Sequence, residues 1–440
     1  MCIRDSVDSE GISQLLRQQG YQETDQPEKA DLLIVNTCGF IEPARAESLA
    51  ALKKLARRKR RRQLLIAAGC LPQREDVALK SLIPRLDGVI GTRHWAEIAT
   101  FVAELRARKE AGQRVDCFSW QPAQLEASSL VARVPRLATM GTSAYLKIAD
   151  GCDALCAFCT IPVIKGPQQS KLPEAIIAEA RELAAQGVKE IILIAQDTTA
   201  YGRDLGRQDA LPDLIKGLLA AVPDLAWLRL MYTYPQHITP RLIRVMAEHV
   251  PVCHYLDIPL QHSHPDVLRR MRRSPDMDGV RRLIQALREA MPDVALRTTF
   301  IVGYPGETEA EFVDLLRFMR EIAFDKVGIF PYSREQGTLA ASLPNQIPDE
   351  VKEERYQQAM SAQQVISLTQ NRKQVGRTLQ VLVEGTGDNL SVGRSYRDAP
   401  EIDGMVFVSG QLPLGQIVPV RITQAMEYDL AGEPNMTGPL

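Results

Sequence analysis

The stretch ADGCDALCAFCTIP, residues 149–162, sets Cys152, Cys156 and Cys159 in a CxxxCxxC arrangement directly after a strand-like run. Three thiolates this close together on one loop can wrap three irons of a 4Fe-4S cluster. The fourth iron is then left without a protein ligand, open to a substrate or cofactor. A structural zinc site is the competing reading. Zinc takes four closed ligands, commonly as CxxC pairs, and the sequence offers no fourth ligand nearby.

Around this loop the chain alternates between strand-like and helical patterns. Candidate strands are AYLKIAD (144–150), EIILIAQD (190–197), WLRLMYTYP (227–235), HYLDIPLQ (254–261), ALRTTFIVGYPG (295–306) and DKVGIFPYS (325–333). Helical segments such as PEAIIAEARELAAQG (173–187) and EAEFVDLLRFMREIA (309–323) separate them, and a last helix is expected over about 350–373. Six such β-α units predict a full or partial barrel whose chemistry sits at the carboxyl ends of the strands.

The flanks have different textures. Upstream, DLLIVN (31–36), a helix over 42–62, QLLIAAGC (63–70) and DGVIGT (87–92) predict an open parallel α/β sheet. A polar segment over 121–142 looks like a linker. Downstream, TLQVLVEG (378–385), LSVGRS (390–395), GMVFVSG (404–410) and QIVPVRITQAMEYDL (416–430) predict a small all-β barrel. The expected division is an N-terminal α/β domain over 1–125, a linker over 126–142, a (β/α)6 core over 143–372 and the β barrel over 373–440.

Composition sets outer bounds. With 440 residues, 45% hydrophobic and 24% charged, the chain suits a globular protein of several domains. A net charge of -1 argues against a surface built for general nucleic-acid binding. No apolar run approaches membrane-spanning length, and a cytoplasmic, membrane-free protein is expected. In a reducing compartment the eight cysteines read as ligands or buried thiols rather than disulfides. The run RRKRRR (57–62) reads first as a solvated helix end favoured by the helix dipole, and second as a ribosome or RNA contact.

Cys38 in IVNTCGF and Cys70 in IAAGC each directly follow an apolar strand. Neighbouring parallel strands point their carboxyl ends into one crevice, so the pair could share a cluster. Either cysteine alone would read as a small buried hydrophobe. Cys117 and Cys253, the latter read as preceding a strand, are expected to be structural, and His262 and His264 to be structural or substrate-facing.

The cysteine loop, with Phe158 before its last cysteine, resembles the radical S-adenosylmethionine superfamily. In that superfamily the open iron chelates S-adenosylmethionine, and one-electron reduction releases a 5'-deoxyadenosyl radical able to abstract hydrogen from an unactivated carbon. AQDTTAYG, IPLQHS and VGYPGET resemble the superfamily's cofactor contacts. The resemblance therefore implies cofactor binding at Gln196, Gln261, Gly303, Gly306 and Glu307. Capping or packing roles fit the three polar residues equally, and the two glycines would let backbone approach a ligand.

With the flanking domains, the whole chain resembles the methylthiotransferases, which carry an N-terminal cluster domain, a radical core and a C-terminal TRAM domain. The motifs VDSE, NTCGFIEPA, QDTTAYG, YLDIPLQH, GRSYRDAPEIDG and EYDL resemble the branch acting on a ribosomal protein. That resemblance implies two 4Fe-4S clusters, with S-adenosylmethionine as both methyl donor and radical source. The implied product is an aspartate methylthiolated at its β-carbon in the small-subunit ribosomal protein numbered twelve. An electron donor such as flavodoxin or ferredoxin and a sulfur source are implied as partners. Direct nucleic-acid binding is not favoured, because the acidic DAPEID segment suits a basic protein better than RNA. The alternatives are a tRNA adenosine methylthiotransferase and a non-catalytic iron-sulfur protein that binds ribosome or RNA.

Departures from the family pattern fall at Lys165 and Lys171, where arginine is usual, and at Ala431, where an aromatic commonly follows EYDL; all bear on substrate contacts. The start of the chain is unusual too. From Val7 an amphipathic helix with Ile12, Leu15 and Leu16 runs to a stop at Gly20, with no strand ahead of it. MCIRDS resembles the translation of a sequencing adapter, so native sequence is expected from near Val7, with a first strand missing. Cys2 nevertheless stands at the family's offset from VDSE, which implies that it is the third ligand beside Cys38 and Cys70.

Overall fold

Continuous apolar runs in the first strands, LLIV over 32–35 and LLIAA over 64–68, dictate a sheet covered on both faces. The computed structural model describes residues 3–113, 117–120 and 136–435. Its first unit comprises α1 (Ile3–Gln18), β1 (Leu32–Thr37), α2 (Glu42–Arg58), β2 (Leu64–Gly69), α3 (Cys70–Leu82), β3 (Gly88–Gly91), α4 (Ile98–Glu110) and β4 (Phe118–Trp120). The four strands are parallel, in the order β1-β2-β3-β4. Leu64, Ile66 and Ala68 of β2 meet α1 and α4, while Leu65 and Ala67 meet α2 and α3. β4 escaped the sequence reading because three residues are too few to show a period.

The charge run corrects one expectation. α2 ends at Arg58, and Lys59 turns inward: it is buried, and its ammonium pairs with Asp87 just before β3. Its neighbours Arg57, Arg58, Arg60, Arg61 and Arg62 stay exposed.

The second unit runs through β5 (Ser143–Lys147), β6 (Ala149–Asp150), α5 (Ile161–Lys165), β7 (Gln169–Ser170), α6 (Pro173–Ala185) and β8 (Glu190–Ile194). It continues with α7 (Leu211–Ala221), β9 (Trp227–Leu230), α8 (Pro240–Glu248), β10 (Val252–Asp257), α9 (Pro265–Arg270), α10 (Met277–Ala290), β11 (Ala295–Val302), α11 (Glu309–Ile322), β12 (Lys326–Pro331) and α12 (Asp349–Arg372). Six parallel strands lie in the order β12-β11-β10-β9-β8-β5, giving a partial (β/α)6 barrel. AYLKIAD is not one strand: its end peels off as β6 to pair antiparallel with β7. Cys253 lies inside β10 rather than ahead of it, where burial pushes its thiol up to about 12.

The last unit is a closed barrel of β13 (Thr378–Gly387), β14 (Leu390–Ser395), β15 (Val406–Ser409), β16 (Ile417–Ala425) and β17 (Leu430–Pro434). β17, which contains Ala431, was not anticipated. Between β14 and β15 the chain leaves this barrel and enters the other one. The outer residues of the six strands pack under helices. Their inner residues, Tyr145, Ile192, Ile194, Trp227, Met231, Cys253, Tyr255 and Ala295, pack against Val7 of α1 and against Tyr396, Ala399 and Ile402.

The acidic segment DAPEID is therefore an internal plug rather than a bait for a basic partner. Asp398 pairs with Lys326 at 2.8 Å, and Asp403 accepts from Tyr255 at 2.7 Å and faces Arg297 at 3.5 Å. Glu401, in a left-handed conformation at φ +68°, accepts from Tyr145. No helix among the described residues is long and apolar enough to cross a membrane.

Candidate functional site

The cysteine loop is shaped by backbone contacts on both flanks. Gly151 has φ +74°, and a Cβ there would lie 2.1 Å from the carbonyl oxygen of Pro167. Only glycine fits that approach. Cys152 N–H donates to Gly166 O at 3.1 Å, Ala157 N–H to Met271 O at 2.9 Å, and Ala340 N–H to Ala157 O at 2.8 Å. Cys159 N–H closes the turn onto Cys156 O at 3.1 Å. Two further amides, of Ala154 and Ile161, point at the sulfurs of Cys152 and Cys159 at 3.4 and 3.5 Å. Burial pushes the Cys152 thiol up, and the Ala154 amide opposes that rise. Gly151→Ala is expected to displace the loop and remove the iron bound by Cys152, Cys156 and Cys159, leaving any held elsewhere and the far-ultraviolet circular dichroism unchanged; iron analysis beside the spectrum checks this.

A buried charge group holds the root of the loop. Asp150 accepts from Gly151 N–H at 3.0 Å, from Lys147 at 3.0 Å and from Lys165 at 2.9 Å. Asp8 of the VDSE motif joins both lysines. Burial alone would raise the Asp150 carboxyl, but Lys147 and then Lys165 outweigh it and hold the group well below its usual range. Lys165 is thus occupied inside the fold, and so is Lys171, paired with Glu179 at 2.6 Å. Both ammonium groups are buried and ion-paired inside the fold.

The strand ends converge on this loop. After β8, Gln196 has both amide atoms buried without a hydrogen-bond partner among the described residues. Next to it, Asp197 accepts from His237 at 2.7 Å, and its charge reaches the Cys152 thiol. After β9, Tyr234 has its ring under the guanidinium of Arg273, and burial pushes its hydroxyl up against the pull of that charge. After β10, Gln261 sits at φ +74°, pinned to β11 through Thr299 O and Ile301 N–H, each at 2.8 Å. Phe158 packs with Val267, Met271, Tyr304 and Tyr332.

The HxH pair makes local contacts at the start of α9. His262 is fully buried, its Nδ1 accepts from His264 N–H at 2.9 Å, and burial drives its pKa down to about 3. His264 caps α9.

After β11, Gly303 owes its identity to the fold. A Cβ there would lie 2.3 Å from Lys352 Cγ, and φ is +70°. At Gly306, φ +73°, a Cβ would meet Arg270 Nε at 3.9 Å, an ordinary contact. Glu307 is buried, and Oε2 accepts from Tyr304 N–H at 2.9 Å. Arg355 stands 3.3 Å from Oε1, out of hydrogen-bonding alignment. Burial pushes the carboxyl up to about 7, against the opposing pull of Arg355.

Because the folded pKa lies above the ordinary 4.5, the folded state binds the extra proton. Stability then falls as pH rises from about 4.5 to 7 and levels off above, by on the order of 3 kcal/mol. Glu307→Gln is expected to flatten that decline. Melting temperatures of both proteins from pH 5 to 8 check it.

The first sheet meets this loop edge to edge. Thr37 of β1 pairs in register with Gly69 of β2, so Cys38 and Cys70 follow side by side at the carboxyl ends. Gly69, at φ +101°, and Gly39 leave no room for a Cβ between the two strand ends. Cys70 is buried and opens α3, where the helix terminus favours a thiolate. Cys2 lies outside the described residues. Two residues past Cys38, Phe40 O accepts from the hydroxyl of Thr160, the neighbour of Cys159, at 3.5 Å. Arg93 donates to Ile164 O and Val163 O at 3.0 Å each. From the far side of the barrel, Glu335 accepts from the first amide of α2 at 2.8 Å and pairs with Arg74 of α3 at 3.0 Å.

Asp8, Asp150, Asp197, Tyr234, Arg273 and Glu335 complete the site, and sequence reasoning singled out none of them. The motifs VDSE, ADGCDALCAFCTIP and QDTTAYG contained three of these residues. The others carry no local signal.

Comparison with known proteins agrees with this layout. Residues 146–319 match the family described as the Radical SAM superfamily, residues 375–434 the TRAM domain, and residues 2–91 the uncharacterized protein family UPF0004. The chain is 49% identical to the ribosomal protein uS12 methylthiotransferase RimO of Chloroflexus aurantiacus, over 98% of this chain and 97% of that one. It is 50% identical to the protein of the same name from Roseiflexus sp., over 98% and 95%. Among solved structures it resembles the radical S-adenosylmethionine methyltransferase TsrM from Kitasatospora setae, with cobalamin and a [4Fe-4S] cluster bound. The TM-score there is 0.57 at 14% identity, covering 88% of this chain and 77% of that one, a likeness of fold alone.

Proposed function

The chain belongs to the RimO family of radical S-adenosylmethionine methylthiotransferases, and on that premise we propose that it methylthiolates the β-carbon of an aspartate in ribosomal protein uS12. Two 4Fe-4S clusters serve the reaction, one on Cys152, Cys156 and Cys159 and one on Cys2, Cys38 and Cys70. The bound cofactors supply a hydrogen-abstracting radical and a sulfur that is methylated and inserted. The donor set fits: three thiols share one loop pinned on both flanks, and the orphaned Gln196 amide lies among the strand ends beside it.

Around these groups the chain binds and orients. Phe158, Gln196, Gln261, Glu307 and the backbone at Gly303 and Gly306 form the S-adenosylmethionine pocket. We divide the chain as a cluster domain over 1–125, a radical core over 143–372 and a TRAM domain over 373–440, with 126–142 as linker. The enzyme works in the cytoplasm with a low-potential electron donor of the flavodoxin or ferredoxin kind and a separate sulfur source.

The observation that carries this reading is the contact between Phe40 and Thr160, which sets the Cys38 crevice against the Cys159 turn. A sulfur handed from one site to a radical made at the other needs that adjacency. Anaerobic reconstitution followed by iron and sulfide analysis is expected to give about eight irons per chain, two clusters' worth. Mass spectrometry of uS12 and of tRNA nucleosides, from cells with and without the gene, tests the substrate. A tRNA difference with uS12 unmodified overturns the assignment.

A further inference from the structure

Arg273 stands out among the cations near the cysteine loop because its charge is not cancelled. Lys147 and Lys165 face Asp8 and Asp150, Lys171 faces Glu179, and Arg297 faces Asp257 and Asp403. For half-buried Arg273, no carboxylate among the described residues lies within ion-pair distance. Its guanidinium is nonetheless fixed. Nη2 donates to Pro259 O at 2.7 Å, the plane lies over the Tyr234 ring with Cζ 4.3 Å from the centroid, and Nη1 points at Cys156 Sγ at 3.7 Å.

The backbone aims it there. α9 ends in a left-handed residue, Arg272 at φ +56°, and Arg273 N–H closes back onto Leu268 O at 2.8 Å. The side chain is thereby held by the ends of β9 and β10 and by α9, with Nη1 turned toward the sulfur.

We infer that Arg273 is a positioning residue that sets how readily the barrel cluster accepts an electron, by donating a charge-assisted hydrogen bond to the Cys156 thiolate. The inference rests on Cys152, Cys156 and Cys159 being the ligands. Reduction by a low-potential one-electron donor brings in one electron and no proton, so the cluster with its thiolates gains one negative charge. A fixed cation on a ligand sulfur stabilises the more negative form and raises the reduction potential. The stack on Tyr234 and the bond to Pro259 O keep the guanidinium in place at little further entropic cost. Lysine keeps the charge but cannot serve the carbonyl, the ring and the sulfur together. Glutamine keeps a donor and loses the charge.

The test uses the full chain carrying Cys38→Ala and Cys70→Ala, so that one cluster remains, with Arg273 intact, Arg273→Lys or Arg273→Gln. Each protein is reconstituted anaerobically, its iron is counted, and its cluster is titrated potentiometrically by electron paramagnetic resonance without S-adenosylmethionine. The expected result is equal iron in all three and a midpoint potential that falls in the order Arg, Lys, Gln. Equal potentials at equal iron overturn the inference. Iron lost from both variants overturns it too, since Arg273 would then hold the loop rather than tune it. Weaker S-adenosylmethionine binding by the same proteins in equilibrium dialysis, with unchanged potential, overturns the inference and assigns Arg273 to the cofactor. If the Arg273 parent itself takes up no iron, the ligand reading fails, and that outcome is separate from the other three.

Discussion

Glu190→Ala is expected to lower stability by about 3–5 kcal/mol, because it strips the shared partner from two buried guanidinium groups. Glu190 is completely buried and accepts from Arg229 at 2.7 Å, from Arg394 at 2.6 Å and from Ser143 at 2.9 Å. Burial would raise its carboxyl, yet Arg229 and then Arg394 bring it down to about 2. Arg394 keeps Glu384 after the substitution. Arg229, fully buried, keeps the Tyr396 carbonyl and the Tyr255 ring face but no carboxylate.

Urea unfolding followed by the fluorescence of Trp227, on β9 beside Arg229, with Trp95 and Trp120 replaced by phenylalanine in both proteins, measures the loss; a change under about 1 kcal/mol, the range of exposed pairs, would sink the argument. The pH dependence has a definite sign. A folded pKa below the ordinary 4.5 contributes stability that is present above pH 4.5 and lost as pH falls toward 2. The gap between wild type and variant should therefore narrow below pH 4.5.

The second large effect separates the two cysteine sets. Replacing Cys152, Cys156 and Cys159 by alanine is expected to reduce both 5'-deoxyadenosine formation and methylthio product to background. Replacing Cys38 and Cys70 is expected to abolish the methylthio product and spare 5'-deoxyadenosine formation. The spacing of the two sets explains the asymmetry. Cys152, Cys156 and Cys159 sit in the loop at the barrel's strand ends, whereas Cys38 and Cys70 reach it through the Phe40 to Thr160 contact. Chromatography of quenched anaerobic assays reads both products. Loss of 5'-deoxyadenosine in the Cys38 and Cys70 variant would mean that the two sites do not work independently.

The repeating parts of this architecture were legible in the sequence. Six apolar runs, each followed by a helical stretch, gave the partial barrel, and the spacing of Cys152, Cys156 and Cys159 gave the loop. Cys38 and Cys70 could be paired because each directly follows a strand, and parallel strands bring such positions together. What stayed hidden depends on groups that arrive from elsewhere in the chain. Lys59 reads as one of six cations until β3 brings Asp87 to it. DAPEID reads as an acidic surface until Lys326 and Arg297 are seen opposite its aspartates. Arg273 sits in an unremarkable basic run, and only the left-handed turn at Arg272 directs it toward Cys156. Periodicity reports which face of an element is buried; it carries no information about which side chain waits on the other side.

The segment between β14 and β15 also bears on how the protein is made and how it can be recombined. Translation delivers the six barrel strands long before residues 396–403, so the inner face of the barrel leaves the ribosome uncovered. It stays so until some 70 more residues, those between Pro331 and Asp403, have followed. During that interval Tyr145 lacks Glu401, Tyr255 lacks Asp403, and Arg229 lacks the Tyr396 carbonyl. A C-terminal barrel exchanged between relatives must therefore travel together with the barrel residues that its plug touches. A chimera joined at the helix boundary would combine two intact folds around a mismatched interior.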